Sequence, residues 1–329
     1  MKASHRRHAA SLIILAVMVV MTLLVVAYRQ DIRDQFSVWG YQPTPEVGRL
    51  AERTTMTSLG KRYFYASHPE VQDRTQFNVS CTSREHSSAI LGCYNGLSIY
   101  LYDVTDERLD GVREVTAAHE MLHAAYDRLS VSERERVDGL LEDAYRALKK
   151  DTAFRERMSL YESIEPNEQL NELHSIIGTE VDKISGELES YYKKYFDNRS
   201  AIVSLYNSYK SVFTELKLKA DKLSGQIDTL AEQINRDTEQ YNHQIAQLNS
   251  DIGHFNKRAQ SGDFSSQGEF QEQRRQLLSR SRDLQSLRSS VNAAVSRYNT
   301  YKSELQQIAT QSDSLNRSIN STLAPVPAL

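Results

Sequence analysis

The chain has 329 residues, and its 40 Lys and Arg residues against 43 Asp and Glu residues give a net charge of −3. This length suits one or two domains. The near balance of charge provides no broad basic surface, so nucleic acid is not an expected partner. Two cysteines are also too few for a structural zinc site, which usually takes four nitrogen or sulfur ligands.

The first predicted element is an apolar helix at 11–28, which carries no charge and is about long enough to cross a bilayer. Lys2, Arg6 and Arg7 precede it and favour a cytoplasmic N-terminus at 1–10. Because no small-x-small cleavage site follows, we predict an uncleaved transmembrane signal anchor, with a cleaved signal peptide as the alternative. The prediction is a single-pass membrane protein whose main domain is extracytoplasmic.

The next segments are predicted to be a linker, a small sheet and a set of helices. Residues 29–58 have the turn-rich centre GYQPTPEVG and are predicted to be a juxtamembrane linker. Aromatic and β-branched residues between about 62 and 104, with the hairpin turn Asn95-Gly96, predict a small antiparallel sheet. Helices are predicted at 112–129, 132–150, 153–162 and 167–197.

The two cysteines lie on either side of a short segment that resembles a hairpin. In an oxidising compartment, Cys81 and Cys93 are predicted to form a disulfide. Two free, buried thiols are the alternative.

The region 201–322 is predicted to be an antiparallel coiled-coil hairpin. Two long runs of apolar residues keep nearly heptad spacing on either side of a polar break at 261–270. Such a region is typical of a spacer or an oligomerisation stalk, and self-association through its seam is a hypothesis. The prolines of 323–329 predict a disordered tail.

The stretch TAAHEMLHAAYDRL contains the motif H-E-x-x-H at His119, Glu120 and His123. Two histidines four residues apart on a helix lie on one face and can bind one metal ion. Glu120 lies further round the helix, where it can act as general base on an activated water. We therefore predict a site for zinc (Zn2+), the alternative being a surface helix with two solvated histidines.

This stretch resembles the active-site helix of zincin metallopeptidases. In one branch, the gluzincins, the third zinc ligand is a glutamate on a later helix, often preceded by Asn or Glu, and the resemblance implies Glu172 in the pair Asn171-Glu172. The run from Glu172 to Gly178 is also similar to the third-ligand segment of clostridial neurotoxin proteases. The aspartate that gluzincins carry four residues after this glutamate is absent, since Ile176 stands there.

Periodicity alone favours other third ligands. Leucine, isoleucine and valine residues mark an apolar face on the predicted helix 167–197, and Glu172 points away from that face. His174 and Glu180 lie at its edges, as His119 and His123 do on their own helix, so both remain alternatives. Two further candidates lie at the end of the same helix: Tyr195 and Arg199 are of the residue types that stabilise an oxyanion.

Together these patterns predict an α+β fold, with a small antiparallel sheet, zincin-type active-site helices, an N-terminal transmembrane helix and a C-terminal coiled-coil hairpin. The metallopeptidase domain is predicted at 59–200. The expected function is a membrane-anchored zinc metallopeptidase that hydrolyses a peptide or protein substrate outside the cytoplasm. The alternative is a non-catalytic envelope scaffold that uses the zincin-like domain and the coiled coil for interactions.

Overall fold

Helices make up most of the chain in the computed structural model, which describes residues 15, 17–25, 28–81, 90–152, 154, 155, 158 and 168–321. In chain order, the elements up to the sheet are α1 (Arg29–Gly40), α2 (Pro45–Arg53), α3 (Ser58–Ala66), β1 (Glu70–Gln72), α4 (Arg74–Ser80), β2 (Gly92–Tyr94) and β3 (Ile99–Tyr102). After a 3-10 turn at Glu107–Leu109 come α5 (Val112–Asp127), α6 (Val131–Leu148), α7 (Gln169–Glu180), α8 (Gly186–Tyr192), α9 (Arg199–Ser261) and α10 (Gln267–Ile319).

The α+β prediction is wrong, because two segments assigned to the sheet are helices. Both helices begin at side-chain caps. Thr57 Oγ1 accepts a hydrogen bond from the Gly60 amide at 3.1 Å at the start of α3. Asp73 caps α4 in the same way. An N-cap satisfies amides that a helix start leaves unpaired, so it can outweigh the strand preference of aromatic and β-branched residues.

The sheet that does form has three short strands in the order β1-β3-β2. β2 runs antiparallel to β3 through the Asn95-Gly96 turn, as predicted, but β1 pairs parallel to β3, so the sheet is mixed. β3 is therefore the central strand and β2 lies at an edge. A disulfide joins Cys81, after α4, to Cys93 in β2, with 6.0 Å between their Cα atoms.

The predicted linker at 29–58 is also a correction, since it contains α1 and α2. Thr44 caps α2 and Pro45 occupies its first turn, where a missing amide hydrogen costs nothing. Val47 and Leu50 then bury an apolar stripe in the core.

The predicted transmembrane segment is a further correction. Among the residues that the structure describes, no helix is both long and apolar enough to cross a membrane. The single-pass membrane topology is therefore not supported. The predicted cytoplasmic segment 1–10 and the rest of the anchor, at 11–14, 16, 26 and 27, lie outside the described residues.

The single helix predicted at 167–197 is broken in two. α7 ends at Glu180, where Val181 becomes extended, and Ser185 caps the start of α8. The guanidinium of Arg199 donates hydrogen bonds to the carbonyls of Ile177, Val181 and Asp182. These bonds satisfy the open end of α7 and allow the chain to turn there. The helix predicted at 153–162 lies largely outside the described residues.

α5 lies at the centre of the core, where it contacts α2, α3, α7 and both β2 and β3. Its buried residues include Val115, Ala118, Met121, Leu122 and Ala125. The small side chains let neighbouring elements approach closely, so one helix can carry functional groups toward two different neighbours.

The chain divides into two units, Met1–Val212 with Leu315–Leu329, and Phe213–Ser314. Within the second unit, α9 and α10 flank a short loop inside the predicted break. Asp251 pairs with Arg280 at 2.6 Å, and Arg258 donates to Gln273 at 3.1 Å, which places the two helices antiparallel beside the loop. The predicted tail 323–329 lies outside the described residues.

Candidate metal centre

The site is built where α5 and α7 pack closely against each other. Gly178 of α7 has no side chain, and a Cβ placed there would lie 2.4 Å from Leu122 Cδ1 and 2.8 Å from Tyr192 Cε1. Such contacts are too short for real atoms, so the helices can approach to this distance only at a glycine. This approach brings the histidine face of α5 against the first turns of α7.

His119, His123 and Glu172 meet across this contact. One ligand atom from each lies within 4.8 Å of the others. His123 Nε2 is 3.4 Å from Glu172 Oε1, and His119 Nε2 is 3.6 Å from Glu172 Oε2. The three residues form a group able to bind a metal ion.

The spacing fits coordination better than direct hydrogen bonding. A hydrogen bond to a carboxylate has a donor–acceptor distance of about 2.7–3.2 Å, shorter than either contact. Ligand atoms around a tetrahedral zinc ion lie about 3.3 Å apart, since each bond is about 2.0–2.1 Å. Glu172 Oε2 is also buried and accepts no hydrogen bond from the residues that the structure describes. A cation would satisfy this oxygen.

Charge around Glu172 favours its ionised form. Burial raises the pKa of Glu172, but the interactions of its carboxyl group with His123 and with His119, a polar contact with His119 among them, outweigh this effect and lower the pKa below its ordinary value. The carboxylate is thus held ready to act as a ligand, which requires the deprotonated form.

Asn171 orients His123, a role that the sequence analysis did not assign. Its Oδ1 lies 3.0 Å from His123 Nδ1, while its Nδ2 donates to Glu168 Oε2 at 3.1 Å. Because an acceptor engages the amide nitrogen, the oxygen of Asn171 faces the ring and His123 must donate from Nδ1. The lone pair of the ring is then at Nε2, beside Glu172. Asn171 directly precedes Glu172, and this position beside the candidate ligand was the only feature of the sequence that could have indicated its role.

The side chain of Glu120 packs against β2. Its side chain is buried with 5% exposure and packs against Gly92. A Cβ at position 92 would lie 2.7 Å from Glu120 Oε1 and 2.6 Å from Thr116 Cγ2. The edge strand β2 therefore covers this carboxylate.

The two alternative third ligands lie elsewhere on α7. His174 is fully buried, and its Nε2 lies 2.9 Å from the Tyr191 hydroxyl. Burial, with smaller effects from His123 and His119, lowers the pKa of His174 to about 3, so this ring is neutral. Glu180 ends the helix. Within the described part of the chain, neither joins the group of metal-ligating atoms.

The two oxyanion candidates serve the core. Arg199 is 4% exposed and pairs with Glu189 while it caps α7. Tyr195 is 2% exposed, and its hydroxyl lies 3.4 Å from that of Tyr191. Burial raises the pKa of Tyr195 to about 12. Both contacts support α7 and α8 from within the core, and nothing in them directs a donor at a substrate.

The far end of α5 is fixed by a buried ion pair. Arg128 Nε and Nη2 donate to the carboxylate of Asp34 in α1 at 2.8 and 2.9 Å. Its Nη1 donates to the Ala124 carbonyl at 2.7 Å. Ala124 follows His123 directly, so this bidentate pair holds the helix end one residue from a candidate ligand.

Comparison of the chain with protein-family models, with curated proteins and with solved structures finds no match.

Proposed function

We propose that this protein is a zinc-dependent peptidase of the zincin type, with zinc held by His119, His123 and Glu172. The observation that carries the proposal is the group of two imidazoles and one carboxylate on two packed helices. Two nitrogens and one oxygen form the ligand set of many catalytic zinc sites, which keep their fourth position for water or substrate.

The surrounding residues support the same assignment. The contact with Asn171 leaves the lone pair of His123 at Nε2, beside Glu172. Glu172 Oε2 is buried and accepts no hydrogen bond from the described residues, so a cation could interact with it. Zinc, when bound, would polarise a peptide carbonyl and acidify a water molecule. These features match the order of residues in the zincin motif, in which the general base lies between the two histidines.

Glu120 is the proposed general base. Its carboxylate would accept a proton from the attacking water and later donate it to the leaving amine. Burial beside Gly92 excludes bulk water from this group, which strengthens its interaction with developing charge.

The edge strand β2 supports a peptide as substrate. The Tyr102 amide donates to the Leu91 carbonyl at 2.8 Å, so odd-numbered residues of this strand face β3. Gly92 and Tyr94, which alternate with them, turn their backbone groups outward. Extended peptides bind such edges by adding a strand. Because β3 is the central strand, it is β2 that offers a free edge on this side of the sheet.

The first test is the zinc content of the purified full chain beside His119→Ala and Glu172→Ala. We expect about one zinc per chain, lost in both variants, while His174→Ala keeps it if the chain folds. A well-folded chain that binds no zinc would contradict the proposal and favour the non-catalytic scaffold.

Turnover is tested with Glu120→Gln. This variant should bind zinc normally and lose at least about 10²-fold in kcat on an unstructured peptide, because the base is removed and the ligands remain. Glu135→Gln, at an exposed position of α6, is the matched control and should leave kcat unchanged. Equal hydrolysis by Glu120→Gln and the wild type would rule out this mechanism.

A further inference from the structure

The glycine of β2 lies directly opposite the proposed general base. The three atoms nearest to a Cβ at position 92 would be Thr116 Cγ2 at 2.6 Å, Glu120 Oε1 at 2.7 Å and Glu120 Cγ at 2.8 Å. Real Cβ atoms do not make contacts as short as these. All three atoms belong to side chains of α5, one helical turn apart, and none belongs to the backbone. A side chain at position 92 would therefore compete with Glu120 and Thr116 for the same space.

Thr116 is less able than Glu120 to move out of this space. Thr116 Oγ1 donates a hydrogen bond to the Val112 carbonyl at 2.9 Å, which fixes the χ1 angle of the threonine and with it the position of Cγ2. Glu120 has a longer side chain with more rotatable bonds, so its carboxylate can shift to another rotamer. A methyl group at position 92 would thus displace the carboxylate from the place that it holds against β2.

β2 itself is held where it faces α5. The disulfide to Cys81 fixes Cys93, the residue after Gly92. The Tyr102 amide donates to the Leu91 carbonyl at 2.8 Å, which fixes the residue before Gly92 to the central strand β3. Because the strand is held on both sides of Gly92, it cannot easily retreat from α5, and crowding at this position is relieved through the side chain of Glu120.

We propose that Gly92 is a positioning residue for Glu120, whose carboxylate takes its place because position 92 carries no side chain. The inference rests on the proposed function for its catalytic consequence, but not for the contact itself. A general base must lie within hydrogen-bond reach of the water whose proton it accepts. A displacement of about 1 Å can lower a rate roughly 100-fold. A methyl group at position 92 should therefore lower turnover and leave zinc binding intact.

Kinetics of Gly92→Ala in a Thr116→Ser chain test this role. Serine keeps the hydroxyl and lacks Cγ2, so the added methyl group then crowds only Glu120 among the three nearest atoms. We expect kcat to be at least about tenfold below that of Thr116→Ser alone, with KM and zinc content unchanged. Gly186→Ala, at the start of α8, meets no atom within 4 Å and should change none of these quantities. Equal kcat in the Thr116→Ser chains with and without Gly92→Ala would overturn the proposal.

The Glu120→Gln background shows whether the effect passes through the base. In a chain that carries Glu120→Gln and Thr116→Ser, Gly92→Ala should cause little further loss of kcat, because the displaced group is no longer a base. The same fold-loss with and without Glu120→Gln would mean that Gly92→Ala acts by another route, which would contradict a positioning role.

Stability tests the contact without any need for activity. In the Thr116→Ser chain, Gly92→Ala should lower the midpoint of denaturant unfolding, because the methyl group crowds a buried side chain. In a chain that also carries Glu120→Ala, the same substitution should leave the midpoint unchanged or raise it, since alanine is otherwise preferred to glycine within a strand. Equal shifts in the two backgrounds would show that position 92 does not constrain Glu120.

These measurements separate the inference from the proposed function. A wild-type chain that binds zinc but hydrolyses no peptide would count against the peptidase, and the unfolding midpoints would still decide whether Glu120 depends on position 92. An active wild type whose kcat is insensitive to Gly92→Ala would overturn the positioning role and leave the peptidase standing.

Discussion

The side chain of Asn171 shows how one residue can prepare a ligand. Its amide is polarised between Glu168 and His123, and this arrangement fixes which ring nitrogen of His123 carries the hydrogen. Sequence spacing placed both histidines on one face of a helix, but it could not assign a tautomer. The tautomer depends on a contact between His123 and Asn171, two residues that are 48 positions apart in the chain.

Removal of this contact should weaken metal binding. Asn171→Ala is expected to lower zinc affinity roughly 10- to 100-fold, because His123 Nδ1 loses the closer of its two partners and keeps only Ser175 Oγ at 3.3 Å. Chelator competition measures this change. Asn207→Ala, at an exposed position of α9, is the control and should have no effect. An unchanged affinity in Asn171→Ala would show that His123 is oriented by other means.

His174 should make stability depend on pH. Its pKa is about 3 in the folded chain, mainly because of burial, against about 6.5 when unfolded. Below pH 6.5 the unfolded chain therefore binds a proton that the folded chain does not. The free energy of unfolding decreases as the pH is lowered, and at pH 5 it is about 2 kcal/mol smaller than at neutral pH. Denaturant unfolding with chelator present measures this loss.

The matched comparison is His174→Phe against His243→Phe. His174→Phe should remove most of this pH dependence, whatever its effect on stability at neutral pH. His243 is exposed on α9, so its replacement should leave the dependence as it is in the wild type. An identical pH profile in all three chains would contradict a neutral, buried His174.

At the scale of elements, the contact between α5 and α7 decides the site. Sequence periodicity placed Glu172 away from the apolar face of its helix. In the structure all residues from Leu173 to Thr179 are buried, because neighbours cover α7 on several sides. A helical wheel assumes that only one face of a helix packs on the core, so it cannot predict which side chains of such a helix are buried. The family resemblance, which carries spatial information, indicated Glu172.

Gly178 offers a test of this contact. Gly178→Ala should destabilise the fold by about 1–3 kcal/mol and weaken zinc binding, because a methyl group there forces α5 and α7 apart. Gly139→Ala in α6 meets no atom within 4 Å and should be neutral or stabilising by up to about 1 kcal/mol. Denaturant unfolding and zinc titration of both variants measure these effects. Equal stability would argue against the close approach.

At the scale of the whole molecule, the hairpin of Phe213–Ser314 has its own apolar residues and its own ion pairs. Leu230, Leu248 and Leu284 are nearly fully buried within it, at positions that the heptad pattern predicts. The separation into two units implies that damage to this hairpin should not reach the metal site.

Leu248→Ala tests this independence. The substitution leaves a cavity in the hairpin and should lower the free energy of unfolding of that unit by about 2–5 kcal/mol. Zinc affinity should remain unchanged. Leu218→Ala, at an exposed position of the same helix, is the control and should cost far less. A loss of zinc binding in Leu248→Ala would show that the units are coupled.

The sequence by itself determined the local features of this protein: the histidine spacing, the Asn95-Gly96 turn, the extent of α5 and the two long helices around a polar break. Each depends on residues close together in the chain, whose periodicity and turn chemistry act locally. The tertiary structure alone decided which strand lies at the sheet edge, that this strand covers Glu120, and that Asn171 contacts His123. These depend on contacts between distant segments, which local preferences cannot specify.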